Sequence, residues 1–384
     1  MKADLPEPDA QLLAHSNKLK SLIQQRIGKS SLNFEDFMRM CLYSEGLGYY
    51  TSHLDIFGAS GDFITSPETS PYFAQAFSSH IEAMHRQLGK FSIIEIGAGS
   101  GRFAVDLIKA LQTKDCQPVN YYILETSKSL QKRQQQYFDK HLNDQNCRII
   151  WIDSMQKQPI DCGVVIANEV LDALPVRLVS IHGGEIYERC VGLDNQQNFV
   201  FAEKPAEESI RNVVRERLPE RLLNTDKINY QTEVNVQIDD FVRDIATLVN
   251  KGVFFYIDYG YPQHEYYHEQ RSMGTLISHF QHVAHDDPLR WPGIQDITAS
   301  VDFTALAEAA LKAGLSVDCY TTQAHFLMAG QVLTGVQGDL QDTRQLKKLL
   351  LPGEMGERFQ VMALTKNIDL EGFELTMRDL RHRL

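Results

Sequence analysis

Three glycines at alternate positions, Gly97, Gly99 and Gly101, follow a short apolar run in FSIIEIGAGSGRFAVDLIKAL (91–111). Bare backbone at such a turn lets a ligand lie against the main chain at a helix N-terminus. Further polar residues stand where later apolar runs end: Glu125 after YYIL, Asp153 and Ser154 after RIIWI, Asn168, Glu169 and Asp172 after GVVIA, and Asp258 after FFYI. A carboxylate at the tip of the strand after the glycine turn can accept two hydrogen bonds from ribose hydroxyls. An acid one strand further on can meet an adenine amino group, with Met155 packed on the ring. Asn168, Glu169 and Asp172 stand at the carboxyl end of a buried strand, where open α/β sheets bind ligands. Each reading has a plain alternative. The glycines can form a tight turn with no ligand, and Glu125 can be a solvated strand end. Asn168 can cap an ordinary helix whose first turn collects acids for dipole reasons.

The glycine spacing separates the ligands. A dinucleotide turn needs G-x-G-x-x-G, and Arg102 stands where the third glycine would be. A P-loop needs a Lys-Ser/Thr pair after its last glycine, which this turn lacks. G-x-G-x-G after a strand carrying an acid, here Glu95, is the pattern of class I methyltransferases, whose turn passes under S-adenosyl-L-methionine.

Those side chains need parallel strands to position them. Buried parallel strands read as continuous apolar runs, and such runs lie at 93–96, 121–124, 148–152, 163–167, 252–257, 315–321 and 359–365. Helical patterns at 103–111, 127–138 and 302–313 alternate with them, and two helices are expected between the last two strands. Two helices, 12–27 and 31–43, open the chain. A loop rich in Gly and Pro follows, carrying Gly61-Asp62-Phe63-Ile64-Thr65-Ser66-Pro67-Glu68. It reads equally as a capped turn, with Thr65 or Ser66 capping the next helix, and as a flap whose Asp62, Phe63 and Thr65 cover a ligand. The expected division is a helical segment 1–90, a first core half 91–175, an inserted α+β lobe 176–250, and a second core half 251–384 with a long loop 259–300. His279, His282 and His285 in that loop are three apart. On a helix this spacing does not keep all three on one face, which favours contact with a substrate over a metal site.

At 384 residues the chain can bury a large core, and 43% hydrophobic with 23% charged content is ordinary for a globular protein. A net charge of −12 argues against general nucleic-acid binding. Six cysteines without a C-x-x-C pair read as reduced thiols. The opening MKADLPEPDA carries no leader pattern, and no apolar run is long enough to span a membrane, so a cytoplasmic location is expected.

The motifs taken together resemble the MidA family of methyltransferases. The resemblance is carried by GDFITSPETS (61–70), IIEIGAGSGR (93–102), ANEVLDALPV (167–176), IDYG (257–260), GTLISHFQHVAHDDPL (274–289), GIQDITASVDF (293–303), TQAHFL (322–327) and PGEMGERFQVMAL (352–364). It implies a Rossmann-like, seven-stranded α/β class I methyltransferase sheet with an added lobe, and S-adenosyl-L-methionine as cofactor. Because the family includes a mitochondrial complex I assembly methyltransferase, it also implies a protein substrate, an arginine on a complex I-type subunit. Ser300 departs from the pattern, since many members carry His there. Together the readings place Gly97, Gly99, Gly101, Glu95, Glu125, Asp153, Ser154, Asn168, Asp62, Phe63 and Thr65 at the cofactor. Glu169 and Asp172 are the catalytic candidates, and Asp258, His282 and His285 are placed toward substrate.

Overall fold

The computed structural model describes residues 5–52, 66–142, 147–152, 159–223, 229–334, 336, 338–370 and 372–384. The chain forms two compact units. One comprises Met1–Phe63, Asp172–Ile238 and Tyr261–Asp302, the other Ile64–Leu171, Asp239–Gly260 and Phe303–Leu384. The expected segments follow the chain, whereas each unit is assembled from three separated stretches.

The second unit holds the large sheet. Among the described residues, seven of its eight strands lie on its main path: β1 (Ser92–Ile96), β2 (Asn120–Leu124), β3 (Arg148–Ile152), β4 (Ile160–Asn168), β5 (Val249–Tyr261), β6 (Ser316–Thr322) and β7 (Phe359–Lys366), in spatial order β6-β7-β5-β4-β1-β2-β3. The pairs β3–β2, β2–β1, β1–β4 and β4–β5 are parallel, while β7 runs antiparallel to both β5 and β6. The order reverses between β1 and β4, the point at which open α/β sheets bind ligands beyond the strand carboxyl ends. β1 is buried along its whole length, as a central strand covered on both faces must be.

Helices pack on this sheet through apolar stripes. Pro71–Leu88 starts with Pro at its first turn and is capped by Ser70, whose Oγ accepts from Tyr72 N at 3.1 Å. The cap is therefore Ser70, and Ser66 instead opens the short helix Ser66–Thr69. Arg102–Gln112 buries Phe103, Val105, Leu107, Ile108 and Leu111. Phe77 gathers Phe103, Phe255 and Phe326 at ring-centroid distances of 5.5, 5.4 and 4.9 Å, which places the centre of this core directly under the glycine turn's helix.

The first unit is built on a five-stranded sheet. Arg177–His182, Glu185–Leu193 and Tyr230–Val234 form its centre and one side. Phe199–Pro205 and the two-residue strand Leu32–Asn33 pair with Glu185–Leu193. Helices Ala10–Ile27 and Phe34–Tyr43 cover it, burying Leu19, Ile23, Phe34 and Phe37 with Leu178 and Val191. Arg177 bridges Glu35 at 2.7 Å and the fully buried Glu188 at 2.5 Å, pairing a charge that would be costly to bury alone.

Much of 259–300 is structured rather than loop. Ile277–Phe280, Val283–His285 and Asp296–Thr298 form a three-stranded antiparallel sheet. Gln281 and His282 make its tight hairpin turn, with φ of 45° and 65°. Among the described residues no helix is long and apolar enough to cross a membrane.

Candidate active site

The parallel register sets the residues after four strands side by side. Ile96 of β1 stands level with Leu124 of β2 and Ala167 of β4, and Asn168 stands level with Ile257 of β5. Gly97, Glu125, Asn168-Glu169 and Asp258 therefore all emerge at the carboxyl edge of the sheet. Gly97, Gly99 and Gly101 have φ of 66°, 51° and 84°, the left-handed region that only glycine enters without strain. Gly101 caps the helix Arg102–Gln112 with no side chain of its own. A Cβ there would come within 2.7 Å of the Phe138 ring.

Glu125 is 7% exposed, so it is not a solvated strand end. Its Oε1 accepts from Ser127 N at 2.8 Å and its Oε2 from the Gln134 amide at 3.4 Å. Burial pushes its carboxyl above the ordinary range, and those donors oppose the shift. Glu95 lies one strand inward and accepts from the Tyr121 hydroxyl at 2.8 Å. Burial pushes it up to about 7, with the Tyr121 bond opposing and the neighbouring Glu125 charge adding. Glu95 is thus a buried neighbour of Glu125 beneath the turn. Gln134 is a site residue that motif reading passes over. It is fully buried, and its amide also donates to the Gly99 carbonyl at 3.0 Å. The sequence clue was a polar residue midway between Leu130 and Phe138 on the buried stripe of its helix.

Past β4 the chain does not start a helix. Residues 169–174 form bends and a turn, so the alternative of an ordinary helix capped by Asn168 gives way to an irregular crossing. Glu169 has φ 53°, a left-handed conformation that is strained for a residue with a Cβ. Its N–H donates to the Ile257 carbonyl at 2.8 Å. Its Oε1 accepts from Ser66 N and from the Asn168 amide, both at 3.1 Å. Asp258 is fully buried and is turned onto backbone, accepting from Leu171 N and Tyr259 N at 2.9 Å each. Asp258 therefore positions the 169–171 crossing.

Ser66, Pro67 and Glu68 sit on the same edge. The Ser66 hydroxyl donates to Gln323 Oε1 at 2.9 Å. The Ser100 hydroxyl, inside the glycine turn, donates to the Glu68 carboxylate, and Arg102 donates to the Glu68 carbonyl at 2.6 Å. Asp62, Phe63, Thr65, Asp153, Ser154 and Met155 lie outside the described residues.

Asp172 belongs to the first unit, where its carbonyl accepts from Ala299 N at 2.9 Å. There Tyr50 donates to Asp296 at 2.9 Å, and the Asp296 and Asp172 charges add to burial in raising the Tyr50 hydroxyl. His282 is exposed at its hairpin tip, and His285 lies on the second strand of that hairpin. Burial lowers His285, against the neighbouring Asp287 and Asp286 charges, and it lowers His279 to about 4. Among the described residues no group of three or more His, Cys, Asp or Glu is placed to hold a metal ion.

A glycine turn beside a buried carboxylate at the switch point fits an adenosine-bearing cofactor. A model of S-adenosyl-L-methionine-dependent methyltransferases matches residues 72–321. The chain belongs to the S-adenosyl-L-methionine-dependent methyltransferase family. A crystal structure of a Burkholderia thailandensis protein bound to S-adenosyl-homocysteine is 35% identical, covers 99% of this chain and 100% of that one, and superposes with a TM-score of 0.92. A Drosophila melanogaster protein named protein arginine methyltransferase NDUFAF7 homolog, mitochondrial, is 26% identical over 95% of this chain and 89% of that one. Its Danio rerio counterpart is 27% identical over 90% and 86%. The class I methyltransferase fold, the enzymatic class and the cofactor expected from the sequence agree with these findings. The expected cytoplasmic location is corrected by them, because the animal relatives are named as mitochondrial proteins.

Proposed function

We propose that this methyltransferase acts on a protein side chain, an arginine, and in its finer form on a subunit of the respiratory complex I type. The observation that carries the reading is the likeness, over nine-tenths or more of this chain, to proteins named as protein arginine methyltransferases. In this reading Gly97, Gly99 and Gly101 pass under the cofactor and Glu125 accepts from its ribose, while Asn168 closes the edge. Asp62, Phe63, Thr65, Asp153 and Ser154 complete the cofactor contacts. The bound cofactor supplies an electrophilic methyl group. The chain's own task is to hold a nucleophile in line behind it, and positioning supplies much of the rate.

Glu169 and Asp172, three apart in sequence, are proposed to hold the guanidinium charge on one side, so that the opposite nitrogen is richer in electrons. Strain at Glu169 supports a functional side chain there, since residues held in sparsely populated conformations gather at active sites. Asp258 acts through the crossing it anchors, and His282 and His285 are proposed to face the substrate.

Radiolabelled S-adenosyl-L-methionine added to the protein with cell lysate tests this. A labelled protein band that survives as methylarginine after hydrolysis is expected. Label in the small-molecule extract would favour a small-molecule methyltransferase. Cofactor binding without label in either fraction would favour a non-catalytic assembly factor.

A further inference from the structure

We infer that Gln134 is a positioning residue for the cofactor: it locks the glycine turn and the ribose-accepting carboxylate into one rigid unit, with Trp151 as its anchor. The inference rests on the methyltransferase fold and its cofactor, and not on the identity of the methyl acceptor.

Gln134 sits midway along the helix Lys128–His141 and is fully buried. Burying an amide is costly unless its groups are satisfied, and here each side of it has a partner. The Nε2 group donates to the Gly99 carbonyl at 3.0 Å and to Glu125 Oε2 at 3.4 Å. The Oε1 atom accepts from the Trp151 indole at 2.8 Å. Those partners fix which end of the amide is which, because an indole N–H only donates and a carbonyl and a carboxylate accept. One side chain thus ties the turn after β1, the residue after β2 and strand β3. The helix is held against the turn by packing as well, since Phe138, one turn on, lies where a Cβ on Gly101 would fall.

Both groups fastened by Gln134 are ones that must not move when a cofactor binds. A glycine turn has no side chain to fix its conformation. A carboxylate without its donor can swing away from the pair of hydroxyls it must accept from. Preorganisation of this kind shows as affinity, because the ordering cost is met before binding.

The test uses the full chain with S-adenosyl-homocysteine as probe. Gln134→Met keeps the unbranched shape and removes all three hydrogen bonds, while Trp151→Phe removes the anchor alone. Calorimetry should show Kd rising about tenfold or more for folded Gln134→Met and several-fold for Trp151→Phe. A nitrogen-15 spectrum gives a readout that simple packing would not move. The Trp151 indole resonance, identified by its loss in Trp151→Phe, should shift on adding the probe to the parent protein and stay still in Gln134→Met. Unchanged affinity in folded Gln134→Met, or the same indole shift with and without the amide, overturns the inference. If Gln134→Met does not fold, Trp151→Phe decides: parental affinity there overturns it. Glu125→Ala run alongside separates the two ideas. If its affinity is parental, the ribose reading of Glu125 fails, and a loss in Gln134→Met then runs through Gly99.

Discussion

Two turns leave neighbouring parallel strands of the large sheet, and they solve the same problem in opposite ways. After β1 the chain enters left-handed space three times, at Gly97, Gly99 and Gly101. After β4 it does so at Glu169, with φ 53°. Glycine takes that conformation without steric cost, whereas a residue with a Cβ is strained by roughly 1–2 kcal/mol. The strained turn is correspondingly tied down, by the Ile257 carbonyl, by Asp258 on Leu171 N, and by Ser66 and Asn168 on the Glu169 carboxylate. The difference teaches what each turn is for. In the proposed reading the first turn offers bare backbone to a ligand and so lacks side chains, while the second presents a side chain, and there the fold accepts strain and adds tethers.

The largest effect should come from putting a side chain on the bare turn. Gly99→Val adds a branched residue at φ 51°, which fills the backbone approach and opposes the conformation. Calorimetry with S-adenosyl-homocysteine should show no measurable binding. Retained binding would mean that the cofactor does not lie against this turn.

Next is the side chain of the strained turn. Glu169→Gln keeps shape and the ability to accept from Ser66, and it removes charge. Cofactor affinity should change little while methyl transfer falls about 100-fold or more, the scale of an oriented catalytic group. Asp172→Asn should show the same split, and the double variant should lose less than the sum. Lost cofactor binding in Glu169→Gln would make both turns parts of one cofactor site and erase the contrast.

The two turns also differ in how far they could be read in advance. The first was legible because its signal is local: an apolar strand, spaced glycines and an amphipathic helix are each written in consecutive residues. The second stayed open between a ligand-facing edge and an ordinary helix start, because Asn168 followed by acids is also what an N-cap looks like, and nothing local announces a left-handed glutamate. The hairpin at Gln281-His282 escaped for the same reason, since tight turns with two positive φ values usually declare themselves with Asn-Gly. Gln134 was hidden because its role depends on what three other segments bring to it. The assembly of 1–63, 172–238 and 261–302 into one unit is non-local in the same sense: Leu32–Asn33 joins a sheet whose other strands lie more than a hundred residues away.

A smaller effect is expected beside the bare turn. Glu125→Ala removes a carboxylate proposed to accept from both ribose hydroxyls, and S-adenosyl-homocysteine should bind more weakly by roughly 1.5–3 kcal/mol. Because Glu125 is buried and also accepts from Ser127 N, the variant should lose some stability too, which urea unfolding would measure separately. Unchanged affinity in the folded variant would leave the glycines as the cofactor's main hold on this edge.

The smallest effect is the sharpest test of the comparison. Glu169→Gly and Glu169→Ala both remove the carboxylate and its bonds to Ser66 and Asn168, so those losses cancel between them. What remains is the backbone. At an ordinary position alanine is the more stable of the two, by about 0.4–1 kcal/mol, because glycine has more freedom to lose on folding. At φ 53° the order should reverse, since alanine keeps the Cβ that makes the conformation costly. Urea unfolding should therefore find Glu169→Gly more stable than Glu169→Ala by about 1 kcal/mol, while neither supports methyl transfer. The usual order would mean that the crossing relaxes once the carboxylate is gone. The strain would then be imposed by the Ser66 and Asn168 tethers on the side chain, and not by the Ile257 and Asp258 tethers on the backbone.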